Sequence, residues 1–173
     1  MRRNVSTLNI MVGLLLGSVA VNAADFNADN QADILWKKDN GVFVVNLMDG
    51  SPTVLDTYNV PAPATWNVKG FSGFNADDNK SDILWQRDDG SHVVWLMNES
   101  GREDAYNVNV PTGWTLKGLG DFNADNQADI LWQKDNGVFV VRLMDGSPTV
   151  LGTYNVPVPA TWCAKIFSDF NDL

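Results

Sequence analysis

The sequence is poor in the residue types on which several common classes of protein depend. It has 173 residues but one Cys, Cys163, which excludes a disulfide framework within the chain. Its one His, His92, excludes a His-rich zinc site and disfavours a Ser/His/Asp hydrolase. Only 12 Lys and Arg face 21 Asp and Glu, and the net charge of -9 argues against a nucleic-acid partner, because phosphates require a basic surface.

The first 23 residues are predicted to be a signal peptide. Arg2-Arg3 forms a positively charged start, and the apolar run at 10–21 that follows is too short to span a bilayer as a helix. Residues 21–23 read Val-Asn-Ala, a small-residue cleavage site, so the mature chain would begin at Ala24. We therefore expect a secreted protein, periplasmic or extracellular. An N-terminal membrane anchor is the alternative.

The rest of the chain is a threefold repeat with a period of about 48 residues, predicted at 24–73, 74–121 and 122–173. Segments 25–73 and 121–169 align without a gap and differ at 8 of 49 positions, whereas the middle copy has diverged further. Recurring aromatic residues mark the period: Phe26, Phe74 and Phe122, and Trp66, Trp114 and Trp162.

Each repeat reads as four short strands, so the sequence predicts an all-β fold. Apolar alternation marks the strands, and Asp-Asn-Gly or Asp-Asp-Gly at 39–41, 88–90 and 135–137 marks a hairpin turn. Four strands in about 48 residues is the size of a β-propeller blade. A β-sandwich or β-solenoid is the alternative architecture.

An Asp/Asn loop between the first two strands of each repeat carries the clearest chemistry. Oxygen-bearing side chains stand at loop positions 1, 3, 5 and 9, and the carbonyl of position 7 would add a further ligand, a donor set suited to Ca²⁺. Position 6 needs a left-handed backbone, which Asn30 and Asn126 tolerate. The predicted ligands are Asp25, Asn27, Asp29, Gln31 and Asp33 in the first loop and Asp121, Asn123, Asp125, Gln127 and Asp129 in the third.

The middle loop is a weaker candidate, because Gly73 replaces the first Asp and one residue is inserted. Its candidate ligands are Asn75, Asp77 and Asp82. The competing interpretation of all three loops is that they are polar turns, in which Asp and Asn are common. Three carboxylates in nine residues would repel one another without a cation, and this favours a metal site in the third loop.

These motifs resemble a known family. "GDFNADNQADILW", "NGVFVVNLMDG" and "VPATW" are similar to the FG-GAP/VCBS-type repeats of secreted bacterial proteins, over residues 25–171. The resemblance implies blades like those of the integrin α-subunit propeller, with Ca²⁺ in the loop between the first two strands. The family more often has Gly where this chain has Ala28, Asn30, Ala124 and Asn126.

Strand counting predicts an incomplete ring. If the mature chain starts at Ala24, the first repeat lacks its first strand, and 162–169 supplies a spare first strand at the other end. Three blades are fewer than the usual four to eight. We therefore expect a head-to-tail homo-oligomer, two chains giving six blades, or membership of a larger assembly.

One aromatic residue stands outside the repeat pattern. Trp95 replaces Asn46 and Arg142 of the other copies, on a strand face where those copies are polar, so it is a candidate for stacking on a sugar. Packing against a neighbouring blade is the alternative. The sequence predicts a non-enzymatic calcium-binding module that recognises a glycan or a surface protein. A structural or accessory blade set without its own ligand is the other hypothesis.

Overall fold

The computed structural model describes residues 21–76, 78–159 and 161–162, and within these ranges the chain forms only strands, turns and loops. Its strands form three four-stranded antiparallel sheets, each made of strands consecutive in the chain. No helix among the described residues has the length and apolar character needed to cross a membrane. The first sheet contains β1 (Val21–Ala24), β2 (Asp33–Lys37), β3 (Phe43–Met48) and β4 (Val54–Val60); the second contains β5 (Asn67–Ser72), β6 (Asp82–Gln86), β7 (His92–Asn98) and β8 (Gly101–Val108); the third contains β9 (Trp114–Gly120), β10 (Asp129–Lys134), β11 (Phe139–Met144) and β12 (Val150–Val156).

The predicted hairpin turns join the second and third strands of each sheet. Gly41 has φ = +84°, a left-handed conformation that a side chain would strain, and its amide donates to the carbonyl of Lys38 at 2.8 Å. Gly90 and Gly137 repeat this conformation and the hydrogen bond. The all-β, four-strand repeat expected from the sequence is therefore confirmed.

In the structure of the uncleaved chain, the first sheet has a first strand of its own. Residues 21–24 form β1 and pair with β2, with Ala24 opposite Asp33 and Val21 opposite Leu35. The missing first strand was expected of a chain that starts at Ala24, and residues 21–23 of β1 belong to the predicted signal peptide, so that expectation stays a prediction for the mature chain. The remainder of the predicted signal peptide, 1–20, and the spare strand beyond residue 162 lie outside the described residues.

The sheets stack face to face in chain order. We call the face of a sheet that points towards the next sheet its front face, and the opposite face its back face. The front face of the first sheet and the back face of the second bury one core, which includes Phe43, Val45 and Trp85. The front face of the second sheet and the back face of the third bury another, which includes Val94 and Trp132. Both faces of the middle sheet are therefore covered.

The first strands of the three sheets lie side by side. β1 contacts β5, and β5 contacts β9, while no strand of the first sheet contacts the third sheet among the described residues. The three sheets thus form an open stack with two end faces. This arrangement brings the three Asp/Asn loops, which follow β1, β5 and β9, to the same side.

Candidate metal-binding loops

Backbone hydrogen bonds join the Asp/Asn loops to one another. The amide of Ser81 in the middle loop donates to the carbonyl of Asp25 in the first loop at 2.6 Å. In the same way, the amide of Ala128 in the third loop donates to the carbonyl of Gly73 at 2.7 Å. The loop side of the stack is therefore a continuous polar edge rather than three separate turns.

The loops enclose an open depression of about 530 Å³. Its lining includes one left-handed asparagine from each repeat, Asn30, Asn79 and Asn126, together with Asp25 and Lys80. Their φ angles are 61°, 54° and 64°. The three repeats thus place equivalent amide-bearing residues around a common centre.

The predicted left-handed backbone at position 6 is confirmed in the first and third loops by Asn30 and Asn126. Position 4 is also left-handed, with φ of 60° at Ala28 and 62° at Ala124. An alanine in this region costs about 1–2 kcal/mol relative to a right-handed conformation. These are the positions at which Gly would relieve strain, and the chain tolerates the strain because hydrogen bonds fix the loop.

The carboxylates at positions 1 and 5 of the first loop accept backbone amides of the same loop. Asp25 Oδ2 accepts the amide of Asn30 at 2.9 Å, and Asp29 Oδ1 accepts the amide of Gln31 at 2.8 Å. Asn27 at position 3 donates its side-chain amide to Asp29 Oδ2 at 3.0 Å. The predicted ligands at these positions are therefore neighbours, and they organise the loop by Asx-type turns.

The third loop repeats this network and adds to it. Asp121 accepts the amides of Ala124 at 2.7 Å and Asn126 at 2.9 Å, and Asn123 donates to Asp125 Oδ2 at 2.8 Å. Desolvation acts to raise the pKa of Asp121, but the hydrogen bonds from backbone amides outweigh it and lower the pKa. Asp121 is therefore held in the charged form that a cation would need.

The last aspartate of the Asp/Asn loop, at position 9 in the first and third repeats, is a buried clamp in every repeat. Asp33, Asp82 and Asp129 are fully buried. Each accepts the amide of the Phe at loop position 2, at 2.7, 2.7 and 2.9 Å, through Oδ2. Each also accepts the amide of the Met at the end of the third strand, at 2.9, 2.8 and 2.9 Å, through Oδ1. Asp33 and Asp129 were predicted as metal ligands, but in the structure both of their carboxylate oxygens accept backbone amides and join the loop to the sheet.

Burial perturbs these clamps. Desolvation raises the pKa of Asp33 and of Asp129, against the lowering effect of their two amide hydrogen bonds. At Asp82 the same balance raises the pKa to about 7. Among the described residues no positive charge compensates these buried carboxylates, and the nearby carboxylates of their own loops raise their pKa further.

The glutamines at position 7, Gln31 and Gln127, were predicted to offer backbone carbonyls. In the structure their side chains lie directly against Gly50 and Gly146, two left-handed glycines in the turn after the third strand. A Cβ at either glycine would collide with the glutamine Oε1. Position 7 thus connects the Asp/Asn loop to the next turn of the same sheet.

The middle loop has a different charge balance. Lys80 occupies the position of Gln31 and Gln127, counted back from the buried aspartate, and lies 3.9 Å from Asp78 and 3.3 Å from Glu99. Asn75, with its amide oriented to donate, reaches the clamp Asp82 at 3.0 Å. Asp77 lies outside the described residues. This loop therefore carries its own cation.

Among the described residues, no three His, Cys, Asp or Glu side chains form a group that could hold a metal ion. The chemistry of the donor set nevertheless fits Ca²⁺, since carboxylate, amide and carbonyl oxygens are the ligands that this ion prefers. In the structure the carboxylates at positions 1 and 5 accept amides of their own loop. Cation binding would exchange part of those contacts for ligation by positions 1, 3, 5 and 7 of the first and third loops.

Trp95 is not available as a sugar-stacking platform. It is 2% exposed and lies on the back face of the middle sheet, with its ring centre 5.5 Å from Trp85 and 5.7 Å from Trp66. Arg102 covers the ring at 4.6 Å. The prediction of a ligand-binding Trp95 was wrong because the first sheet covers this face. His92, on the front face, packs edge-on against Trp132 at 5.3 Å and fills space in the second core.

Comparisons with known proteins add no family to this picture. A scan of family models, a search of curated proteins and a search of solved structures each found no match for the chain.

Proposed function

We propose that the chain is a secreted, non-enzymatic module of FG-GAP/VCBS-type repeats, whose blades belong to a β-propeller and whose first and third Asp/Asn loops bind Ca²⁺. Its task in this proposal is recognition of a carbohydrate or a protein at a cell surface. The four consecutive antiparallel strands of each sheet and the face-to-face stacking of the sheets support the blade assignment. The resemblance in the loop motifs supports the cation.

The substitution at position 7 of the loops carries the metal assignment. The middle loop, which lacks the first Asp, holds the ammonium group of Lys80 beside Asp78. All three loops contain three aspartates, but the first and third loops have a neutral Gln where the middle loop has Lys80. These two loops therefore supply no side-chain cation of their own, and a bound Ca²⁺ would neutralise their carboxylates.

The depression between the loops is the proposed recognition surface. Asn30, Asn79 and Asn126 line it, and each side-chain amide offers both donors and an acceptor. Sugar hydroxyl groups both donate and accept hydrogen bonds, so a depression lined by amide-bearing residues suits them. Because the same loops would hold Ca²⁺, recognition in this proposal depends on the cation.

Titration calorimetry with CaCl₂ tests the metal assignment. We expect two sites per chain with dissociation constants of about 10⁻⁴–10⁻³ M, the range of extracellular calcium modules. Asp125→Asn removes a ligand from the third loop and leaves the fold clamp Asp129 in place, so one site should remain. Asp78→Asn in the middle loop is the matched control and should leave two sites.

Thermal unfolding gives an independent readout. Ca²⁺ at about ten times the dissociation constant should stabilise the chain by about 1.4 kcal/mol per site, and a chelator should reverse the effect. The absence of both a binding heat and a melting shift at 10 mM CaCl₂, about 10- to 100-fold above the expected dissociation constants, would contradict the metal assignment.

A structural blade set of a larger assembly is the second candidate function. Exposed aromatic side chains at the end of the stack favour it: Phe122 is 51% exposed and Tyr154 59% exposed. A glycan array, probed with and without chelator, separates the two candidates. Calcium-dependent binding to a defined glycan supports the recognition module, and absence of any glycan or surface-protein ligand supports the structural blade set.

A further inference from the structure

The repeats differ in how they bury equivalent aromatic residues. Phe26 and Phe74, at loop position 2 of the first two repeats, are fully buried, and Phe26 packs edge-on against Phe71 of the next sheet at 5.8 Å. Phe122 holds the same position in the third repeat and is 51% exposed. The two buried rings have a following sheet to cover them. Phe122 has no following sheet among the described residues.

Two further series show the same contrast. Tyr58 packs against the first core and its hydroxyl donates to the carbonyl of Asn98 of the next sheet at 3.3 Å, whereas the equivalent Tyr154 is 59% exposed. Trp66 packs against Trp85 and Trp95, whereas Trp162 is 66% exposed. Phe139 and Val141, between these positions, are buried. The exposure is thus concentrated at Phe122, Tyr154 and Trp162, which we call the front-end patch.

The opposite end of the stack shows the complementary feature. Ile34, Trp36 and Met48 on the back face of the first sheet are only partly buried. Their counterparts in the other two sheets are at most 1% exposed: Ile83, Ile130, Trp85, Trp132, Met97 and Met144. The back face of the first sheet is therefore built like a face that receives another sheet. We call Ile34, Trp36 and Met48 the back-end patch.

The two ends match an interface that the molecule already contains. On the front face, the third sheet has Leu131, Phe139, Val141, Leu143 and Tyr154 where the first has Leu35, Phe43, Val45, Leu47 and Tyr58. On the back face, the first sheet has Ile34, Trp36, Val44 and Met48 where the second has Ile83, Trp85, Val93 and Met97. Every residue type is the same. The contact between the first and second sheets thus provides a template for the third sheet against another first sheet.

We propose that the front-end patch of one chain packs on the back-end patch of a second copy of the same chain, head to tail. The terminal sheets of stacked repeats normally carry polar outer faces, and this chain instead presents Phe122, Tyr154 and Trp162. Trp162 would take the place that Trp66 takes on the second sheet. The first sheet has Asn46 where the second sheet has Trp95, so its back face carries a smaller side chain at the position against which Trp66 packs.

Such an interface is heterologous, so two copies use it twice and close a ring of six sheets. Six lies within the four to eight blades usual for propellers. Sheet packing carries this association, and in the uncleaved chain β1 completes the first sheet without an exchange of strands.

Sedimentation velocity of the purified protein tests the proposal, with Tyr154→Glu as the disruptive variant. The unaltered protein should sediment as a dimer, and Tyr154→Glu should raise the dissociation constant at least tenfold, as for an aromatic residue central to an interface. Leu151→Glu is the matched control on the same strand. Leu151 is 57% exposed, and its counterpart Leu55 is 58% exposed even though a following sheet covers the first sheet. This position therefore stays outside the contact between sheets. Leu151→Glu should remain a dimer.

A mixing experiment establishes the head-to-tail arrangement. Ile34→Glu damages only the back-end patch, and Tyr154→Glu damages only the front-end patch. Each variant alone should be a monomer, while an equimolar mixture retains one intact interface and should form a one-to-one heterodimer. Circular dichroism confirms that both variants are folded. If the unaltered protein is a monomer at 100 µM, the proposal is overturned, and the front-end patch must be covered by residues 163–173 or by another protein. A mixture of folded variants that stays monomeric would overturn it as well.

Discussion

Replacing Trp95 by asparagine is the most direct test of how the sheets pack. Asn is the residue that the first repeat carries at this position, Asn46, so the change keeps a side chain compatible with the strand. In the structure, Trp95 is 2% exposed and contacts the rings of Trp66 and Trp85 within the first core, which the first sheet covers. The substitution removes the largest side-chain difference between the first and second back faces.

The expected loss of stability follows from the burial of the ring. A buried Trp removes about 200 Å² from water, worth about 5 kcal/mol at 25 cal/mol per Å². Measured losses for truncating large aromatic residues in cores are about 3–5 kcal/mol, because the surroundings relax in part. The cation–π contact with Arg102 at 4.6 Å is lost as well. We expect Trp95→Asn to lower the free energy of unfolding by about 4 kcal/mol.

Urea denaturation, followed by circular dichroism at a fixed protein concentration, measures this loss. A decrease of 4 kcal/mol corresponds to about 8–16 °C in melting temperature for a chain of this length. Leu55→Asn is the control, since Leu55 is 58% exposed and should change stability by less than about 0.5 kcal/mol. A loss below 1 kcal/mol for Trp95→Asn would refute the packing of Trp95 in the first core and indicate that its ring is exposed.

Three further changes test the loops and their clamps. Burial raises the pKa of Asp82 to about 7, so between about pH 4 and 7 the folded state holds a proton that the unfolded state has released, and the free energy of unfolding should fall as the pH rises through this range. Denaturation at several pH values should show a weaker dependence of stability on pH for Asp82→Asn. An equal dependence in both proteins would contradict the prediction. Asp129→Ala leaves the amides of Phe122 and Met144 without an acceptor and should lower the free energy of unfolding, measured in urea, by at least about 2 kcal/mol. A loss of less than about 1 kcal/mol would show that the clamp is dispensable. Ala124→Gly relieves a left-handed alanine at φ = 62° and should raise the free energy of unfolding by about 0.5–1 kcal/mol in a thermal melt, whereas a loss would show that the position is unstrained.

The local features of the fold could be predicted from the sequence. Period-two alternation and the Asp-Asn-Gly turns gave the strands and hairpins, because both depend on residues close together in the chain. The left-handed backbone at Asn30 and Asn126 was predictable for the same reason, since only a few residue types tolerate it. The Asx-type hydrogen bonds of Asp25 and Asp29 also lie within one loop.

The errors concern features set by distant parts of the chain. Strand alternation correctly placed Trp95 opposite Val94, yet it could not reveal that the first sheet covers that face. The clamp of Asp33 reaches the amide of Met48, 15 residues further on, and turn chemistry alone gives no sign of it. A constant separation between this Asp and a Met in all three repeats was the available signal. β1 spans the predicted cleavage site of the signal peptide, so its pairing with β2 belongs to the uncleaved chain.

Consecutive strands in each sheet have a consequence for the order in which the molecule forms. Every hairpin closes a short loop, so a sheet can assemble before the residues of the next one have been synthesised. Each sheet then emerges beside a finished front face, such as that of Phe43 and Val45, on which its own back face can fold. The nascent chain thus provides its own template at each step, and adding a further copy of the repeat would require no change in the copies before it.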